Sequence, residues 1–131
     1  MPQSLSAVYI HLVFSTKHRQ PFLREKSLRE DLYAFLGGTS KTLECPPLIV
    51  GGVEDHVHLL ARFGRTITQA AEWVKELKRV SNLWLKEEGG IANFEWQAGY
   101  SDFSVSRSNL EQVRSYIANQ EKHHRKKRFS G

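Results

Sequence analysis

A single cysteine, Cys45, stands in a chain of 131 residues. That excludes an intramolecular disulfide and any zinc site built from several thiolates, and it fits a reducing compartment. No apolar run reaches the ~20 residues that a membrane-spanning helix needs. The opening stretch MPQSLSAVYIHLVF has no basic segment ahead of its short apolar run, as a secretory signal would. The expectation is a cytoplasmic protein with no membrane partner. A second His-x-Thr or His-x-Ser motif is also lacking, since His11 is followed by Leu12-Val13 and His18 by Arg19-Gln20. A two-histidine phosphoesterase built on paired motifs of that kind is thereby excluded. Acidic residues are fewer than basic ones, 14 against 19, for a net charge of +5 with histidine neutral. This balance is a mild electrostatic argument for a polyanionic partner. A hydrophobic content of 40% is enough for one core, and a second domain is not expected.

What is present falls into alternating short elements. Ala7 to Ser15 places Val8, Ile10, Leu12 and Phe14 on one face and Tyr9, His11, Val13 and Ser15 on the other, the period of a strand. From about Arg24, Leu28, Leu32, Phe35 and Leu36 recur at helical spacing, and the helix is expected to weaken at Gly37-Gly38. After Pro46-Pro47, LIVGGV and VHLLARF read as two strands joined by a tight turn at Glu54-Asp55. Thr66 with Gln69 suggests a capping box for a second helix, with Ile67, Ala70, Ala71, Val74, Leu77, Val80 and Trp84 as its inward stripe and Gly89-Gly90 as its end. Phe94 to Val105 supplies a fourth strand and a short extra one. A final helix from about Ser108 has Leu110, Val113 and Ile117 as its packing stripe. The order β-α-β-β-α-β plus a helix implies an α+β, ferredoxin-like (split β-α-β, RRM-like) antiparallel sheet with two helices on one face and a free opposite face.

The period of two assigns His56, His58, Leu60 and Arg62 to that open face, and Val57, Leu59, Ala61 and Phe63 to the core. His11 joins the pair if the first strand turns its all-apolar face inward. A His-x-His pair on a strand holds two ring nitrogens on one face without backbone distortion, which suits metal chelation. Strand histidines that simply meet solvent fit the pattern as well. In VRSYIANQEKHH, Tyr116 and Gln120 are four residues apart and share a helical face. Alone, they read more simply as an amphipathic-edge tyrosine and a solvated amide.

Taken together, YIHLVFSTKHR, GGVEDHVHLL, ELKRVSNLWL, WQAGYSDFSVS and YIANQEKHH resemble the single-tyrosine HUH transposases of the insertion-sequence 200/605 type and their REP-associated tyrosine relatives, over nearly the whole chain. The resemblance implies one HUH domain over 1–131, with His56 and His58 as metal ligands, Gln120 as the third ligand and Tyr116 as the nucleophile. It implies Mg²⁺ or Mn²⁺ as cofactor, two nitrogens and an amide oxygen suiting Mn²⁺ better. The implied activity is cleavage and strand transfer of hairpin-bearing single-stranded DNA through a 5′-phosphotyrosine. The implied assembly is a homodimer in which strands pair across the two-fold and the tyrosine helix can reach the partner's histidines; the sequence permits this, since Ser106 to Asn109 is a polar stretch able to act as a hinge.

Lys17, Arg19, Lys78 and Arg79, with His11, are candidate DNA contacts, and exposed loops or a solvated helix face account for the four basic residues nearly as well. The run HHRKKR at 123–128 reads mainly as a solvated helix end favoured by the helix dipole, with His123 and His124 as candidate outer groups near the metal. Two other readings stand beside the transposase: a ferredoxin-like module that grips single-stranded nucleic acid without cutting it, and a host-domesticated nuclease acting on palindromes.

Overall fold

The computed structural model describes residues 8–64 and 70–122. Strand β1 (Tyr9–Ser15) leads through a short 3₁₀ turn to helix α1 (Lys26–Thr42). Strands β2 (Pro47–Val53) and β3 (His56–Arg62) come next, then α2 (Ala70–Glu87), β4 (Ser101–Val105) and, after a second 3₁₀ turn, α3 (Leu110–Ala118). The sheet order is β2-β3-β1-β4, antiparallel throughout. This is the expected α+β, ferredoxin-like arrangement, with β1 and β3 at the centre. Ala7, the Thr66–Gln69 capping box, Ile67, His123, His124 and the rest of the 123–128 run lie outside the described residues.

The strand periodicity is seen directly: Ile10, Leu12 and Phe14 are buried with Val57, Leu59 and Ala61 between the sheet and α1–α2. Val8, assigned to the same apolar face, precedes the strand and is exposed. Helix α1 runs through Gly37-Gly38, where the sequence suggested weakening, because Leu32, Leu36 and Ser40 are buried on either side of the pair. Packing of that face outweighs the roughly 1 kcal/mol that each glycine costs in a helix. In α2 the buried residues are Trp73, Val74, Leu77, Ser81 and Leu85. The stripe is therefore rotated from the expected one, leaving Ala71 exposed. The reason is polar. Ser81 Oγ donates to Leu77 O at 2.6 Å and accepts from Trp96 Nε1 at 3.0 Å. Ser40 Oγ likewise donates to Cys45 O at 2.6 Å and accepts from Trp73 Nε1 at 3.0 Å. Two buried serines thus satisfy the buried indole of Trp73 and the partly buried one of Trp96, a pairing that hydrophobic periodicity does not register.

Of the segment from Phe94 to Val105, Ser101–Val105 forms the fourth strand. Phe94 is fully buried in the preceding loop, and Trp96 makes an isolated bridge to Thr16 in place of a short extra strand. Phe94 and Trp96 pack edge to face at 4.7 Å, as do Trp96 and Phe14. The aromatic run plugs the end of the core instead of extending the sheet.

The second face is not fully open. Helix α3 packs chiefly on β2 and also touches β3. Leu60, expected on a free face, is completely buried, as is Ile117 of α3. Close approach depends on Gly51, which stands opposite His58 in the β2–β3 register. A Cβ there would lie 2.9 Å from Ile117 O and 3.0 Å from Ile117 Cγ2. Gly51→Ala is therefore expected to push α3 off the sheet and to cost about 1–3 kcal/mol, the usual range for overpacking. A lowered urea midpoint and lost hydrogen-exchange protection in α3 check this; unchanged protection there would refute it.

Candidate functional site

Three histidines meet on the face under α3. β1 and β3 pair so that His11 faces Leu60, Val13 faces His58 and Ser15 faces His56. The rings of His56 and His58 are 5.0 Å apart, and those of His11 and His58 5.1 Å. The Tyr116 ring stands edge-on to His58 at 5.8 Å and to His11 at 6.4 Å. Tyr116 thus lies over the histidines of its own chain. Between sheet and helix, Ser106 opens the 3₁₀ turn Arg107–Asn109, and the Ser106 and Ser108 hydroxyls are 3.1 Å apart.

Each member of the histidine pair is oriented through Nδ1. His56 Nδ1 is 2.7 Å from Asp55 Oδ1, and Arg19 Nε is 3.3 Å from Asp55 Oδ2. Burial alone would raise the Asp55 carboxyl, but the His56 hydrogen bond and the Arg19 charge outweigh it and hold it below the usual value. A carboxylate at Nδ1 keeps the proton there and leaves Nε2 as a lone pair, the outer arrangement that metal-ligating histidines need. His58 Nδ1 is 2.8 Å from His11 Nε2. His58 Nε2 is buried with no hydrogen-bond partner. With Nε2 as the ligand atom, the His58 proton sits on Nδ1 and is donated to His11.

Gln120 completes the group, although not from within α3. Helix α3 ends at Ala118, and after a break at Asn119 the chain is helical again from Gln120, whose Nε2 donates to Tyr116 O at 3.2 Å. The two side chains expected to share one helical face both lie by His58 but differ in exposure: Tyr116 is half exposed, whereas Gln120 is buried. Among the described residues no three His, Cys, Asp or Glu side chains are gathered to hold a metal ion. Gln120 is an amide placed beside the histidine pair and could serve as a third ligand. The orphaned His58 Nε2 and the neutral N, N, O donor set fit a divalent ion.

The basic candidates separate from this group to different degrees. Arg19 reaches it indirectly through Asp55. Lys17 pairs with Glu95 at 3.3 Å. Lys78 lies on the helical side of the sheet, its Nζ donating to Gln97 O at 2.7 Å and Gly99 O at 2.6 Å. Arg79 pairs with Glu76 at 2.5 Å. On that side a cavity of about 360 Å³ is lined by Lys75, Lys78, Arg79, Asn82 and Trp96 among others. Sequence reasoning treated Asp55 as a turn residue, and its adjacency to His56 was the available signal. His11 was expected beside the pair, and the structure adds its bond to His58.

Burial, then the neighbouring His56 and His11, push the His58 imidazole down to about 3, against a smaller opposing effect of Gln120. It is therefore neutral near pH 7, the form a ligand requires. The folded-state value lies below the unfolded value of 6.5. The neutral ring thus contributes stability above about 6.5 that is lost as the pH falls toward about 3, because the unfolded chain takes the proton first. In EDTA, the urea midpoint is expected to drop between about pH 7 and about pH 5, with a shallower drop for His58→Gln. Equal slopes for the two proteins would show that His58 does not carry the effect.

Comparison with known proteins agrees with the fold. No curated protein matches the chain. A candidate transposase from Deinococcus radiodurans R1, known from its crystal structure, superposes with a TM-score of 0.66 at 22% identity, over 88% of this chain and 92% of that one. A REP-associated tyrosine transposase bound to a REP hairpin superposes with a TM-score of 0.65 at 13% identity, over 90% of this chain and 68% of that one. At these identities the likeness is one of fold. The sequence family described as "Transposase IS200 like" matches residues 4–120, from ahead of β1 to Gln120. The chain belongs to the IS200-like transposase family.

Proposed function

We propose that this transposase is a metal-dependent single-stranded DNA endonuclease and strand transferase that acts on hairpin-bearing DNA through a 5′-phosphotyrosine, with 1–131 as a single HUH domain. The observation that carries the reading is the convergence of Tyr116, His56, His58 and Gln120 on one patch of the sheet, with His58 Nε2 buried and unpaired. His56, His58 and Gln120 would hold Mg²⁺ or Mn²⁺. When bound, the ion supplies Lewis-acid polarisation of the scissile phosphate.

The chain's own residues do the rest. Asp55 and His11 hold the ligand histidines in the tautomer with free Nε2. Tyr116 attacks phosphorus and releases its proton to water, to which its half-exposed ring is open. The phosphorus–O3′ bond breaks, the 3′ oxygen takes up a proton, and the 5′ phosphate remains on the tyrosine. Attack on that ester by the 3′-OH of another strand breaks the phosphotyrosine bond and returns the phenol, so strands are joined without ATP. Phe103, 55% exposed and 5.8 Å from the His11 ring, offers a stacking surface for an unpaired base beside the site. Hairpin recognition is supported by the relative bound to a REP hairpin.

Incubated with hairpin-bearing single-stranded DNA and Mn²⁺, the wild type is expected to form a covalent protein–DNA species on denaturing gels. Tyr116→Phe and EDTA-treated wild type should form none. An adduct with the Phe variant would exclude Tyr116 as nucleophile, and full activity in EDTA would exclude the metal.

The proposed assembly is a homodimer, and the position of Tyr116 over its own histidines supports a site completed within one chain. Exchange of subunits separates this from the trans arrangement. A wild-type/His56→Ala,Tyr116→Phe heterodimer keeps one site if the tyrosine serves its own chain and none if it serves the partner. A mixture of the two single variants behaves in the opposite way. Activity in the single-variant mixture alone would establish the trans site.

A further inference from the structure

Gln120 lies beyond the end of α3, so the helix does not by itself set its position. Asn119 breaks the helical path with φ −103° and ψ 20°. The residues just after it are tied to another part of the fold. Arg29 of α1, only 8% exposed, donates from one terminal nitrogen to Leu23 O at 2.9 Å and Arg24 O at 2.8 Å, and from the other to Glu121 Oε1. Tyr33, one turn further along α1, stands beside the pair, and burial pushes its phenol up to about 12, so the enclosure holds a neutral group next to the ion pair. A buried guanidinium requires a partner at short range, and Glu121 supplies it immediately after the proposed ligand. Helix α1 is packed on the core through Leu32 and Leu36. Its anchor is therefore rigid, whereas the turn at 119 is not a continuation of α3.

We propose that Arg29, acting through Glu121, is a positioning residue that clamps the helical segment 120–122 after the break at Asn119 and so holds the Gln120 amide against His58. This rests on the reading of Gln120 as a metal ligand. The pair links the site to α1 on the opposite side of the sheet and draws the segment after Tyr116 toward its own chain. Arg29 touches neither substrate nor metal; its effect passes through one adjacent peptide unit.

The test uses the full chain and Mn²⁺ alone as probe, followed by the electron paramagnetic resonance signal of free Mn²⁺. Glu121→Ala removes the clamp but leaves a buried cation. Arg29→Met/Glu121→Ala removes both charges, so that no buried cation is left unpaired, and is the variant expected to fold. Both variants are expected to bind Mn²⁺ about tenfold more weakly, the usual effect of losing an outer support of a metal ligand. The maximal rate of adduct formation should return at saturating Mn²⁺, and Glu121→Asp should restore affinity. Wild-type Mn²⁺ affinity in a folded variant lacking the pair would overturn the clamp, and so would failure of both variants to fold, which would assign the pair to stability. Gln120→Ala separates the two levels. If Gln120→Ala binds Mn²⁺ as wild type does, the ligand reading fails; if it weakens binding while the clamp variants do not, the clamp alone fails.

Discussion

Closure of α3 onto the second face of the sheet is the contact on which the candidate site depends. Ile117 sits against Gly51, and Leu60 is buried beneath the same layer. A ferredoxin-like sheet covered on one face alone would leave His56 and His58 in water. With the helix in place, His58 loses its solvent and stays neutral, and Tyr116 is carried to within ring contact of it. The missing Cβ at Gly51 thus has consequences for both electrostatics and reach.

Orientation is built outward from the two histidines in layers of decreasing burial. Asp55 aligns His56 and is itself held by Arg19, while His11 on the adjacent central strand aligns His58. Because β1 and β3 are hydrogen-bonded neighbours in the middle of the sheet, the His11–His58 geometry rests on the least deformable part of the fold. Gln120 follows the break in the helix at Asn119, and the Arg29–Glu121 pair is the tie from that segment to α1. The rigid ligands and the adjustable one are therefore held by different means.

The core makes the same use of small polar groups. Ser40 and Ser81 are buried in helices and accept from Trp73 and Trp96, so that two large aromatic side chains are enclosed without an unsatisfied indole N–H. Trp96 then supports Phe14 on β1 and Phe94 in the loop before β4. β1 consequently carries the aromatic plug on one face and His11 on the other, which couples the packing of the core to the placement of the site.

Local pattern alone determined the order of elements, the strand alternation that sends Leu12 and Phe14 one way and His11 the other, and the placement of His56 and His58 on one face. These arise from a period of two and from short-range turn chemistry, both written in consecutive residues. The motifs spread along the chain also sufficed to indicate the family. Tertiary structure decided what depends on partners far apart in sequence. The buried face of α2 is centred on Trp73 and Ser81 because a serine 33 residues away from Trp73, and a tryptophan 15 away from Ser81, meet them in space. Leu60 is buried because a helix from the far end of the chain crosses it. Asp55 proves to be more than a turn residue only once His56 and Arg19 are beside it, and the pairing of Arg29 with Glu121 spans 92 residues. No periodicity encodes such contacts, since hydrogen bonds and ion pairs are selected by distance in the folded chain and not by spacing along it.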